Sequence, residues 1–214
     1  MVPLTDMLRI FPLGEVVHFP DTLLPLHVFE PRYRKMVADA LAGDRLIGMV
    51  LVRDMAAPEP RPVYDVGCAG AIIEHEQLPD GRSVLVLKGS TKFRIVKELD
   101  TGEPYRVVEP QALYEAPVPA ETMRGWRDAL RDRVEGYIAV LSGEAQIAEQ
   151  VFGKLDPDGL VNYLCASLPL ELMERQSLLE VATLEARYES LCNILDFKIA
   201  EARLGMDASR DVDS

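Results

Sequence analysis

The feature that most constrains this chain is a change of hydrophobic period near its middle, at Pro117 and Pro119. Upstream, apolar residues come in short β-branched runs divided by turn residues, from LRIF and EVVHF through LIGMVLV, AGAIIEH, SVLVLKG and KFRIVKEL to YRVVEP and ALYEA. Short runs with turn formers between them are the pattern of many short strands. Downstream the repeat is helical, with Met123, Trp126, Leu130, Val134, Tyr137, Ile138 and Leu141 falling on one helix face. The expectation is an α+β chain: a β-rich unit over residues 1–118, a helical bundle over 119–206, and a polar tail, 207–214.

Within the β-rich unit, Pro79-Asp80-Gly81-Arg82 lies between two strand-like runs. Its Asp-Gly step supplies the positive φ of a tight turn, so residues 72–89 read as a hairpin. Lys88-Gly89-Ser90-Thr91 reads as a turn where a strand ends, and the proline-rich stretch 54–63 as an irregular loop. One helix interrupts the strands. Pro31 suits a first helical position and Gly43 a stop, with Tyr33, Met36, Val37, Ala40 and Leu41 forming the apolar stripe. Arg32, Arg34 and Lys35 lie off it and read as a solvated face.

In the helical half, Asp156-Pro157 predicts a capped start and Pro169 a break. The final helix is expected to carry Val181, Leu184, Tyr188, Leu191, Leu195 and Ile199 and to stop at Gly205 near Leu204. Its wide apolar arc needs partners on two sides, as in a small bundle, and is also a surface for homo-oligomer formation.

The charge argues against polyanionic partners. The net charge is −12, with 13 basic against 17 acidic residues through position 118 and 10 against 18 beyond it, and neither half has a basic stripe. Nucleic acid and anionic membrane surfaces are repelled. Cys68, Cys165 and Cys192 are widely spaced, without a C-x-x-C pair, and read as reduced, buried thiols. No basic n-region precedes an apolar run at the N-terminus and no eighteen-residue apolar stretch occurs, so a cytoplasmic location is expected.

The sequence offers little chemistry. It has no G-x-x-x-x-G-K-[ST] phosphate loop and no G-x-G-x-x-G, G-x-S-x-G or H-E-x-x-H. His18, His27 and His75 lack cysteine or carboxylate partners at metal-ligand spacing, so no metal, cofactor or catalytic residue is assigned. What stands out is HFPDTLLPLHVFE, read as a loop between the second strand and the first helix, with eight apolar residues among thirteen. Burial beneath the β-rich unit explains some of them. The rest are expected to form an apolar recognition surface made of Phe19, Pro20, Leu23, Leu24, Pro25 and Phe29.

A family resemblance rests on these residues. Phe11-Pro12-Leu13, Phe19-Pro20, Pro25-Leu26 and Phe29-Glu30-Pro31-Arg32-Tyr33 resemble the N-terminal domain of the ATP-dependent protease Lon (protease La, peptidase S16). Asp65-Val66-Gly67, Leu78-Pro79-Asp80-Gly81-Arg82, Gly89 with Phe93 and Ile95, and Pro104-Tyr105 follow in the same order. Leu168-Pro169-Leu170 and Gln176 with Leu178-Leu179-Glu180 extend the resemblance into the helical half. Thr91-Lys92-Phe93 departs from the arginine more usual before that phenylalanine.

The resemblance implies a PUA-like pseudo-barrel followed by a helical bundle, and a role in substrate recognition. Lon continues into ATPase and Ser-Lys peptidase modules that this sequence does not contain, so those activities are not carried over. The expectation is a stand-alone, non-catalytic module that binds unfolded or tagged polypeptide segments, or a partner protein, or acts as an adaptor for proteolysis. The rival readings are a hydrolase with an unrecognised site, marked by carboxylates crowded in one pocket, and a PUA-like RNA-binding module.

Overall fold

In the computed structural model, residues 3–142, 152 and 157–212 are described. Six strands, β1 (Leu8–Leu13), β2 (Leu23–Val28), β3 (Leu46–Leu51), β4 (Val66–Gln77), β5 (Ser83–Leu99) and β6 (Arg106–Leu113), come first, with helix α1 (Pro31–Ala42) between β2 and β3. Helices α2 (Ala120–Ser142), α3 (Pro157–Ser167), α4 (Leu172–Glu180) and α5 (Leu184–Val212) follow. Met1–Tyr114 with Asn162–Glu180 form one compact unit, and Glu115–Val161 with Val181–Ser214 the other.

The sheet order is β2-β5-β4-β3-β1-β6, and β5 also pairs with β6, which closes five strands into the pseudo-barrel. Closure rests on the length of β5. Its first half pairs with β2 and β4, and its second, from Lys92, runs along β6. β2 stays outside the closed ring as an edge strand. β3 is buried along its whole length because its two faces serve two cores. Ile47 and Met49 pack with Tyr33, Met36, Val37 and Ala40 of α1, while Leu46 and Val50 pack with Leu8, Ile10 and Phe93. A strand with both faces covered has no polar row, which is why LIGMVL is continuously apolar.

Helix α1 follows the sequence closely: Pro31 opens it, Gly43 ends it, and Tyr33, Met36, Val37 and Ala40 are buried. The 72–89 hairpin also forms, on strands longer than expected, with Gly81 at φ +81 in its turn. In the first unit, the buried Gln176 of α4 donates from Nε2 to the Val66 carbonyl at 3.1 Å, and Tyr64 OH reaches Met173 Sδ at 3.3 Å. The second unit is built on the packing of α2 with α5. Trp126 stacks on Tyr188 at 4.5 Å and 10°, and Arg133 pairs with Asp196 at 3.1 Å. The fully buried Arg187 is held bidentately by Glu115.

Several expectations fail locally. EVVHF is not a strand; the chain crosses from β1 to β2 through it as irregular backbone. The predicted loop 19–29 contains β2, where Pro25 is tolerated because an edge strand does not need every N–H. Lys88-Gly89-Ser90-Thr91 is no turn but part of continuous β5. The last helix begins at Leu184 rather than Val181, because the Thr183 hydroxyl caps it by accepting the Ala186 N–H at 3.1 Å. It passes through Gly205 to Val212, an interior glycine costing a helix only about 1 kcal/mol, so the expected stop and most of the expected tail are helical. The predicted cap Asp156 lies outside the described residues. Cys68, Cys165 and Cys192 are buried thiols.

Candidate recognition surface

The segment leading into α1 divides sharply. His18, Phe19, Pro20 and Thr22 are buried. They form a turn pinned onto β5, in which the Asp21 N–H donates to the Gly89 carbonyl at 3.0 Å and the Gly89 N–H to the Thr22 carbonyl at 2.9 Å. Thr22 Oγ1 donates to the Phe19 carbonyl at 2.7 Å, and Asp21 takes a positive φ of 61°. A Cβ at position 89 would lie 2.0 Å from the Phe19 carbonyl oxygen, so only glycine admits the turn this closely. Burial holds the His18 imidazole down at about 4, in its neutral form.

From Leu23 onward the chain is extended and alternates. Leu24, Leu26 and Val28 turn toward the core under α1, whereas Leu23, Pro25 and His27 point outward. Leu23 is 62% exposed. Across the ladder the outward row meets Lys88, Val86 and Val84 of β5. Val84 and Ile73 of the neighbouring strand are exposed as well, giving an apolar strip on the outside of the sheet. Phe29, the residue after β2, is 61% exposed, with its ring 6.3 Å from that of His27.

His27 and Phe29 also line a groove of about 540 Å³ floored by Phe11, Leu13, Leu26 and Tyr33. Phe11 and Tyr33 pack at 4.2 Å between centroids. Met55, 54% exposed, closes one side against Gly14. The rim is charged and paired: Glu59 lies 3.7 Å from Arg32 and 3.4 Å from Arg61, and Arg32 holds Glu30 at 2.9 Å. Burial pushes the Tyr33 phenol above its ordinary value, against the pull of neighbouring Arg32. The 54–63 loop supplies Met55, Glu59, Pro60 and Arg61 to this groove. Its pattern of Met55, Glu59 and Arg61 among prolines was visible in the sequence but unassigned, since nothing local indicates which strand it covers.

Of the six residues expected to form the surface, Leu23, Pro25 and Phe29 are exposed, Leu24 is half-buried against the core, and Phe19 and Pro20 are interior. Among the described residues no cluster of His, Cys, Asp or Glu is arranged to hold a metal ion, and no helix is long and apolar enough to cross a membrane.

A mixed α+β, PUA-like pseudo-barrel with an apolar edge strand beside a groove defines the class, and comparison with known proteins gives the family. The model of the ATP-dependent protease La (LON) substrate-binding domain matches residues 7–196, and the chain belongs to that family. It is 31% identical over 183 residues to a Lon protease of Trichlorobacter lovleyi, covering 82% of this chain and 22% of that one. The Lon protease of Escherichia coli K12 is 28% identical over 199 residues, 89% of this chain and 24% of that one. The chain thus spans about a quarter of the length of such relatives. In structure it is similar to a Lon N-terminal domain protein from Xanthomonas campestris, with a TM-score of 0.61 at 23% identity over 87% of this chain and 97% of that one. It is also similar to the N-terminal domain of Mycobacterium avium complex Lon protease, with a TM-score of 0.66 at 15% identity over 91% and 98%.

Proposed function

We propose that this chain is a non-catalytic polypeptide-recognition module that engages unfolded or degradation-tagged segments through apolar contacts at Leu23, Pro25 and Phe29. The observation that carries the reading is the outward row of β2. On an acidic chain, it presents a leucine and a proline beside exposed Val84 and Ile73 and leads directly to the exposed Phe29 at the groove. An edge strand with apolar side chains suits an extended segment, which can add main-chain hydrogen bonds along the edge and seat side chains beside it. The description of the family as a substrate-binding domain points the same way. Service as an adaptor for a protease follows from the same surface, with a protease in place of an unfolded chain as the partner.

The test is capture of a chemically unfolded, labelled model protein by the purified chain, repeated with Leu23→Asp combined with Phe29→Asp. Both side chains are mostly exposed, so the variant folds, and capture should fall at least about tenfold, the effect of removing one or two central apolar anchors. Undiminished capture by the folded double variant would remove this surface from consideration.

A further inference from the structure

We infer that the cleft between α1 and the β4–β5 turn is a second binding site, which takes the C-terminal carboxylate of a polypeptide whose last side chain is apolar. The inference rests on the polypeptide-recognition reading above and deepens it. The three cations of α1 are not alike. Arg32 is paired with Glu30 and Glu59, and Lys35 with Asp39 at 2.6 Å and Glu103 at 2.8 Å. The side chain of Arg34, half-buried between them, makes no hydrogen bond or ion pair among the described residues. Asp80, whose charge lies within range of it, already accepts from Arg82 through both oxygens, at 3.0 Å from the backbone N–H and 2.7 Å from Nε.

Arg34 reaches across to the β4–β5 turn. Its guanidinium lies over Gly81, where a Cβ would come within 2.0 Å of the terminal nitrogen, and the turn beneath is closed by the Gly81 N–H donating to the Leu78 carbonyl at 2.8 Å. The cleft it borders measures about 490 Å³ and has two unlike walls. Pro31, Val37, Ala38 and Leu41 of α1 make one side apolar. Opposite stand Gln77 and the coupled pair His75 and Ser83, with His75 Nε2 3.2 Å from Ser83 Oγ.

A planar guanidinium without a carboxylate partner is matched by a carboxylate, which it binds through two parallel N–H donors. Gln77 and Ser83 can donate to the same group. An inorganic anion uses only the polar wall, whereas a terminal residue with an aliphatic side chain uses both. Charge complementarity is local, because a chain of net charge −12 does not gather anions in general.

The experiment measures binding of a fluorescent decapeptide ending in Leu, as the free acid and as its C-terminal amide, with inorganic phosphate as competitor. The amide should bind about tenfold or more weakly, the scale of one lost charge-assisted pair. Arg34→Gln should make acid and amide equal, and Arg34→Lys should restore part of the preference. Equal binding of acid and amide by the unaltered protein, an acid preference that survives Arg34→Gln, or displacement of the peptide by equimolar phosphate would each overturn the assignment. If acid and amide bind alike while capture of unfolded protein still depends on Leu23 and Phe29, only the cleft fails. If neither peptide nor unfolded protein binds, both readings fail.

Discussion

Residues 18–22 and 23–29 are adjacent and used in opposite ways. The first stretch is a buried turn whose backbone is tied to Gly89 on β5, and the second an edge strand whose outward side chains are exposed. Composition alone points the wrong way, because the buried stretch, HFPDT, is the more polar of the two. What separates them is whether the backbone hydrogen bonds turn the side chains inward, as around Thr22, or alternate them across a sheet, as from Leu23 to Val28.

Substitutions sharpen this contrast, and the largest stability effect is expected in the turn. Phe19→Ala empties a fully buried site and should cost about 3–5 kcal/mol in denaturant unfolding. A cost under about 1 kcal/mol would erase the distinction between the two stretches. Next comes His18. Its folded value of about 4 lies below the ordinary 6.5, so the unfolded chain binds the extra proton. The stability it protects is complete above pH 6.5, falls as pH drops toward 4, and totals about 3 kcal/mol. His18→Gln should flatten that part of the stability–pH profile, leaving only the carboxylate titration at lower pH.

Gly89→Ala follows, because its methyl group meets the Phe19 carbonyl, a backbone atom that cannot swing aside. A loss of roughly 1–3 kcal/mol in thermal unfolding is expected. Smallest is Leu23→Ala, within about 0.5 kcal/mol of the parent chain in the same assay, since the side chain is mostly exposed. Its expected effect is on polypeptide capture, and a stability loss matching that of Phe19→Ala would show that β2 is covered in solution.

Much of the fold could be read without coordinates, for reasons that differ by element. α1 was legible because Pro31, Gly43 and a single apolar stripe agree. β2 was hidden because both of its faces are largely apolar, so LLPLHV shows no alternation, and Pro25 reads as a loop wherever an edge position is not foreseen. Gly89 misled in the opposite direction. It looked like a turn residue, yet its lack of a Cβ serves the close approach of another segment to an unbroken strand. The groove was invisible as a unit because Phe11, Phe29, Met55 and Tyr105 are brought together by barrel closure rather than by spacing. The apolar character of Leu23, Pro25 and Phe29 is plain in the sequence, but which side chains of the stretch face outward is not. That Phe19 and Pro20 turn inward depends on the tie to β5, which lies about seventy residues downstream.

The hydrogen bond from Gln176 to the Val66 carbonyl bears on how the molecule is made. The first unit leaves off at Tyr114 and resumes only at Asn162, so a ribosome completes all six strands well before it delivers α4. Until then the nascent barrel carries Val66 without its eventual donor, and residues 115–161 must emerge in between. A polypeptide ending at residue 118 is, in this respect, a snapshot of that interval rather than a miniature of the finished unit, and slow codons or pauses in the intervening stretch would lengthen the time the barrel spends incomplete.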